Sequence, residues 1–509
     1  MTTNNRRHHG ATQVAKVFGF IIFGAAVFVI FNVFNIAESP ETSTILPTAM
    51  IRRDPDGPEI FGQRMFHLDL KGAPPKVAFY PELFGFIRRL GFDSVLLEYE
   101  DMFPYSGRLS VLRAKYAYSE ADVKAILAAA AEHRLEIVPL VQTFGHMEFV
   151  LKHDAFINLR EVPDKADTIC PSDNRSIALI HDLLSQVRNA HPHSKSIHIG
   201  ADEAWHIAKD ERCLERLDTP ALNGSIDKLK VAHIATVARY AKENLQFEQV
   251  YAWNDLFDKI NVSILAEAKL NEYLIPVIWG YAADVTAADY FPNGMFARYS
   301  EVFPDMLFAG VFKGADGATQ TFVNAEKYLA NLASYLRLYK QYEPQLSGRV
   351  TGMVLTGWSR FWHGIPLCEL LPEGLPVLVL EAIYMNDPNL SLDGIYAKGL
   401  EFLNCSSTVR ATVSPVTFNG FVYVPRKIAA FGNCRFPGAD VFRLIERLHL
   451  LQWKQNVATD DQSPELAEER ARLKRDFAAT LPNYYYDDTV DEFIRQNVDL
   501  HEPTTTPAF

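Results

Sequence analysis

Short apolar runs alternate with longer amphipathic stretches from residue 65 to residue 357. Eight of the runs read as buried strands: MFHLDL (65–70), SVLLEY (94–99), EIVPLV (136–141), SIHIGA (196–201), QVYAW (249–253), PVIWG (276–280), LFAGVF (307–312) and GMVLTG (352–357). The stretches between them, such as SEADVKAILAAAAEHR and NAEKYLANLASYLRLYKQY, repeat apolar residues at i, i+3, i+4 and i+7. Lys, Arg and Glu take the opposite face, which is the signature of surface helices on a core. Strands separated by helices imply parallel βαβ units, and eight of them predict an α/β fold, a closed (β/α)8 TIM barrel over 58–389. An open doubly wound sheet is the alternative, but no GxGxxG follows the first strand. Beyond residue 389 the pattern changes, and 390–509 reads as a mostly helical C-terminal region. Its helices are expected at 438–456 and 464–480, with irregular chain elsewhere, including the aromatic run at Tyr484, Tyr485 and Tyr486.

One apolar stretch breaks the alternation. Residues 17–37 carry no charge and would span about 31 Å as a helix, the thickness of a bilayer core. Arg6, Arg7 and Lys16 precede it, and Glu38 and Glu41 follow. The positive-inside bias predicts a cytoplasmic tail at 1–16, a transmembrane signal anchor at 17–37 and a stem at 38–57. The main body then lies in a lumen or outside the cell. A cleaved signal peptide is the rival reading, but its apolar core would run roughly 7–15 residues, and Asn35-Ile36-Ala37 is a poor cleavage site. Asn-x-Ser/Thr triplets at Asn174, Asn223, Asn261, Asn389 and Asn404 are candidate glycosylation sites that agree with this topology. A short tail, one span and a luminal body point to a single-pass type II membrane protein, with the Golgi preferred and the cell surface second.

Composition excludes other classes. The 509 residues are 48% hydrophobic and 22% charged, which fits a large folded core rather than a disordered chain. The net charge is −12, and the only charges in residues 1–37 are basic, so the body is more acidic still. An acidic body repels phosphate backbones and argues against nucleic-acid binding. The five cysteines, Cys170, Cys213, Cys368, Cys405 and Cys434, are scattered without CxxC or other metal-ligand spacing. Cys405 with Cys434 is a possible bridge, although sequence does not set connectivity. No HExxH, Walker loop or GxSxG occurs, so neither metal nor cofactor is expected.

In a barrel of this kind function gathers at the C-terminal ends of the strands. Those ends supply Asp69 and Lys71, then Glu98, Glu100 and Asp101, then Gln142 and His146. Asp202 and Glu203 follow, then Trp253, Asn254 and Asp255, then Trp279, Tyr281 and Asp284, with Lys313, Trp358 and Arg360 last. Three of the six tryptophans thus meet carboxylates at one rim, as carbohydrate sites do: flat sugar faces stack on aromatic rings and hydroxyls bond to carboxylates. Asp69 and Asp255 are candidate substrate ligands among them. Asp202 and Glu203 are adjacent, so they cannot easily flank one glycosidic bond at the usual separation of roughly 5–9 Å. At a strand-to-loop turn both can project from one side. That suits a reaction with a single protein acid in which a 2-acetamido sugar supplies its own nucleophile. Glu203 would protonate the leaving oxygen, and Asp202 would hold the acetamido N–H.

The motif His-x-Gly-x-Asp-Glu, here His198, Gly200, Asp202 and Glu203, resembles the signature of glycoside hydrolase family 20, the β-N-acetylhexosaminidases. HLDLKGAPPK (67–76), EYEDMFPY (98–105), LVQTFGHMEFVLKH (140–153), FKGA (312–315) and LTGW (355–358) are similar to its hexosaminidase D branch. The resemblance implies an exo-acting hydrolase that removes terminal β-linked GalNAc or GlcNAc from glycans by substrate-assisted, retaining hydrolysis. It implies Glu203 as general acid/base, Asp202 as the acetamido-orienting carboxylate and Tyr281 as the donor to the acetamido oxygen. Trp253, Trp279 and Trp358 resemble the walls around the sugar, and His146 a histidine of the active-site network. His198 is expected to act as support. One departure stands out: better-known members carry an arginine shortly after the first-strand Asp, where this chain has Lys71. Lysine lacks the bidentate fork, so sugar preference does not transfer. A catalytically silent glycan-binding protein on the same scaffold is the alternative function, and the intact Asp202–Glu203 pair speaks against it. A deacetylase would need metal ligands that the sequence does not space.

Overall fold

The computed structural model describes residues 49–51, 54–405, 414–458 and 463–499. The expected cytoplasmic tail, the 17–37 span and most of the stem lie outside the described residues. Among the described residues no helix is long and apolar enough to cross a membrane.

Eight parallel strands close into a barrel: β1 (Gln63–Asp69), β2 (Ser94–Glu98), β3 (Glu136–Leu140), β4 (Ser196–His198), β5 (Gln249–Trp253), β6 (Ile275–Trp279), β7 (Met306–Lys313) and β8 (Val350–Gly357). Every expected strand is present. Neighbours follow chain order around the ring, and closure comes from β1 pairing with β8, Met65 opposite Val354. Met65, Leu96, Val138, Tyr251, Val277, Leu307 and Val354 fill the interior, so the barrel is a packed core rather than a pore. Outside it, amphipathic helices such as Glu120–Glu132 and Asn174–Ala190 bury their apolar stripes. Ser119 opens the first of these with a reciprocal capping box to Asp122.

The expected strand at 196–201 ends at His198. Gly200 and Ala201 turn to φ +62° and +65°, and the chain leaves the sheet there. Two hairpins were not anticipated. One, Arg160–Val162 with Lys165–Ile169, inserts between β3 and helix Asn174–Ala190. The other, Val416–Phe418 with Phe421–Tyr423, and a further helix at Asp487–Asn497 correct the irregular reading of the C-terminal region. Helices Ala439–Val457 and Pro464–Thr480 stand where expected.

The C-terminal helices pack on the barrel rim. Val441, Leu444, Leu473 and Phe493 share one apolar cluster with Ala73, Leu367 and Leu370 from the loops after β1 and β8. Thr489 Oγ1 donates to Gly72 O at 2.9 Å, and Tyr485 forms a bridge with Pro75. The tyrosine run is therefore a docking element and not a loose loop. Cys405 and Cys434 form a disulfide, while Cys170, Cys213 and Cys368 are free and buried.

Candidate active site

A cavity of about 590 Å³ opens at the C-terminal ends of the strands, and Asp202, Glu203, His146, Tyr281, Trp253, Trp279 and Trp358 all line it. The turn after β4 explains how two adjacent carboxylates share it. Gly200, Ala201 and Glu203 all take positive φ, the last at +44°, so the alternation of an extended strand is broken. For a residue with a Cβ this conformation costs about 1–2 kcal/mol. Asp255 Oδ2 accepts from Glu203 N at 2.9 Å and holds the backbone in it. Gly145 lets the loop come close, since a Cβ there would stand 2.0 Å from Asp202 O.

His146 is the partner of the pair. Its Nε2 lies 3.1 Å from Glu203 Oε2 and 3.5 Å from Asp202 Oδ2. Burial opposes its charge, but Asp202 and Glu203 overcome that and push the imidazole up to about 10. Burial, with Asp255, Glu203 and Glu98 nearby, pushes Asp202 up to about 8 against the pull of His146. The cluster thus holds protons at neutral pH. Both shifts act on stability with the same sign, because the folded chain binds protons that the unfolded chain releases. The contribution of His146 is complete below 6.5 and is lost as pH rises towards about 10. That of Asp202 is lost from 3.8 up to about 8. The thermal midpoint should therefore fall between about pH 6 and about pH 9, and His146→Asn should flatten the fall. Scanning calorimetry across that range checks it; equal slopes for the two proteins would contradict the assignment.

The walls are aromatic. Trp253 and Trp358 have ring centroids 6.1 Å apart, Tyr281 stands 5.2 Å from Trp279 and 6.3 Å from Trp358. Burial holds the Tyr281 phenol well above its usual range, so it stays a donor. His198 does not reach the cavity. It packs 4.4 Å from Trp253 and accepts from Gly200 N at 2.9 Å, which fixes the turn.

Below the rings lies a buried ionic floor. Glu98 receives His67 Nε2 at 3.1 Å and Gln142 Nε2 at 3.3 Å, with Lys71 Nζ at 3.8 Å. Burial disfavours its charge, but Lys71 and His67 prevail and hold the carboxyl far below the usual range. Lys71, Glu98 and Gln142 also line the cavity. Lys71 is shared with Asp69 at 3.4 Å and Glu100 at 3.1 Å, and its Nζ lies 5.9 Å from the Trp358 ring centroid.

Two expected substrate ligands stand elsewhere. Asp69 is buried and Asp255 half-buried, and neither lines the cavity. Asp69 is tied to Lys71 and to Ser359 N, and Asp255 accepts from Glu203 N and from Trp279 Nε1 at 3.0 Å. Each positions a lining residue instead of facing the cavity. Asp284 is exposed and pairs with Arg337, and Arg360 pairs with Glu492 of the C-terminal helix.

Other lining residues went unread in the sequence. The inserted hairpin brings Lys165 and Asp167 to the mouth, where Asp167 Oδ2 pairs with His206 Nδ1 at 2.8 Å. Trp205 and Trp362 stand at the same mouth, 70% and 46% exposed. Trp205 lies only two residues past Glu203, and that proximity was the available signal.

The pattern of glycosyl hydrolase family 20, catalytic domain, matches residues 100–347. Hexosaminidase D of Homo sapiens is 40% identical over 322 residues, covering 62% of this chain and 64% of its own. Hexosaminidase D of Bos taurus is 38% identical over 353 residues, covering 68% of this chain and 97% of its own. A solved β-N-acetylhexosaminidase from Bacteroides fragilis overlays with a TM-score of 0.49 at 18% identity, over 67% of this chain and 70% of its own. The chain belongs to glycosyl hydrolase family 20, as a glycosidase of the hexosaminidase D kind.

Proposed function

We propose that this protein is a membrane-anchored exo-β-N-acetylhexosaminidase that removes terminal β-linked GalNAc or GlcNAc with the substrate's acetamido group as nucleophile. The observation that carries the reading is the placement of Asp202 and Glu203 on one side of an aromatic cavity, joined by His146. The acetamido carbonyl oxygen attacks C1 as Glu203 gives its proton to the leaving oxygen, so the C1–O bond breaks and an oxazolinium ion forms. Asp202 accepts the acetamido N–H and stabilises the positive charge that develops there. Glu203, now a carboxylate, takes a proton from water as that water opens the ring at C1, which returns the β configuration. Trp253, Trp279 and Trp358 supply the stacking surface and Tyr281 a donor for the acetamido oxygen.

The test is a substrate panel. The protein should cleave 4-nitrophenyl β-GalNAc or β-GlcNAc, and the matching β-galactoside and β-glucoside, which lack the acetamido group, should be inert. Rapid cleavage of the plain glycosides would place the nucleophile on the protein and end this reading.

The membrane anchor and the type II topology rest on the charges flanking 17–37 and are part of the same proposal. Golgi residence is preferred, with the cell surface second. All five sequon asparagines are exposed, and Cys405–Cys434 is a disulfide of the kind oxidising compartments keep. Endoglycosidase should raise the gel mobility of the protein from cells. Unchanged mobility, with the body open to protease in sealed vesicles, would refute the topology.

A further inference from the structure

Away from the catalytic cavity, three side chains with ligand chemistry converge from three segments. Glu161 belongs to the first strand of the inserted hairpin, Cys170 follows its second strand, and Cys213 sits in helix Glu211–Leu217. All are buried, Glu161 at 1% exposure and both cysteines at 0%. Their ligand atoms lie within 4.8 Å of one another. Cys170 Sγ is 3.6 Å from Cys213 Sγ, and Cys213 Sγ is 3.2 Å from Glu161 Oε2. Ser172 Oγ adds a fourth polar atom 3.0 Å from Cys213 Sγ.

We propose that Glu161, Cys170 and Cys213 bind a zinc ion. Two sulfurs on one tetrahedral zinc stand about 3.8 Å apart and a sulfur and a carboxylate oxygen about 3.5 Å, given bonds of about 2.3 and 2.0 Å. The observed separations match both to within a few tenths of an ångström. Charge argues the same way. Glu161 Oε1 accepts from the backbone N–H groups of Lys209 and Asp210 at 2.8 and 3.1 Å, yet among the described residues no Lys, Arg or His side chain pairs with this carboxylate. A buried carboxylate without a cation is expensive. Zinc places one at bonding distance. Binding releases one proton from each thiol to solvent, so two thiolates and the dication cancel and the buried net charge does not change. A disulfide is the competing chemistry. It would draw the sulfurs to about 2.0 Å and take from Glu161 Oε2 its S–H donor without supplying a charge. Cys405 and Cys434 are bonded in this way; Cys170 and Cys213 are not.

The site would be structural. It ties the hairpin that carries Lys165 and Asp167 to the helix that follows the loop of Glu203, Trp205 and His206. The spacing hides it from the sequence, because the two cysteines are 43 residues apart and the carboxylate precedes both.

The experiment measures zinc in the full-length protein, purified in detergent and dialysed against metal-free buffer. Atomic emission should give one zinc per chain, falling to below about a tenth of that in Cys170→Ser and Cys213→Ser. Where those variants fold poorly, the wild-type protein is stripped with a chelator and loaded with cobalt(II). Tetrahedral d–d bands and a thiolate-to-cobalt charge-transfer band should appear, and Glu161→Gln should shift them. A Cys170–Cys213 cross-linked peptide would overturn the proposal. So would metal-free protein whose two thiols alkylate freely on denaturation, or a zinc content that Cys213→Ser leaves unchanged.

Discussion

Glu203→Gln should reduce hydrolysis of an alkyl or sugar glycoside by at least ~10²-fold, since the side chain keeps its shape and loses the proton it transfers. The geometry makes this a clean substitution. The backbone at residue 203 is held by Asp255 through N–H, not through the side chain, and glutamine still offers an oxygen to His146. An aryl leaving group with a low pKa departs with little protonation, so 4-nitrophenyl substrates should lose much less. The measurement is kcat/KM for the variant on paired alkyl and aryl glycosides. Equal losses on the two, or none, would remove Glu203 from the acid role.

Asp202→Asn should act on a different quantity. Its carboxylate meets charge on the substrate only once the oxazolinium forms, so turnover should fall by about 10²–10³-fold while KM changes little. A second consequence follows from its neighbours. With the charge at residue 202 removed, His146 loses the carboxylate that does most to raise it, and its titration should move down from about 10. NMR titration of the imidazole reads that shift independently of activity. A thiazoline mimic of the cyclic intermediate should inhibit the wild-type protein far better than free sugar and lose much of that advantage on the variant. A large rise in KM with kcat intact would instead make Asp202 an ordinary ground-state ligand.

The barrel strands were legible because a parallel sheet covered on both faces writes itself as unbroken apolar runs. Their ends were less so. The run 196–201 stays apolar past His198, yet the chain has already turned, since hydrophobicity records burial and not φ. The Val416–Phe418 hairpin carries a readable signal: Asn419-Gly420 lies between β-formers, and both take positive φ, +48° and +80°. The hairpin at Arg160–Ile169 had no such signal. It faces the cavity mouth with Lys165 and Asp167, so its polar residues mask the alternation a core-facing strand would show. Asp202 and Glu203 were found through their adjacency and the motif around them. Asp69 and Asp255 were placed at the rim by strand position alone, and position along a strand does not say which way a side chain points. Neither lines the cavity, and both act through residues that do, Lys71, Glu203 and Trp279.

The contact between Thr489 and Gly72 joins residues 417 apart in the sequence. On the ribosome, β1 is made long before β8, its partner in the ring, and longer still before the helix that covers the loop behind it. During that interval β1 is an open sheet edge with unsatisfied N–H and C=O groups, the surface on which nascent chains join one another. Closure over such separations is slow. Biosynthesis of this protein should therefore lean on chaperones until translation is almost complete. A premature stop shortly after the barrel would leave Ala73, Leu367 and Leu370 without their covering helices. The product of such a stop would be a substrate for quality control, not a smaller enzyme.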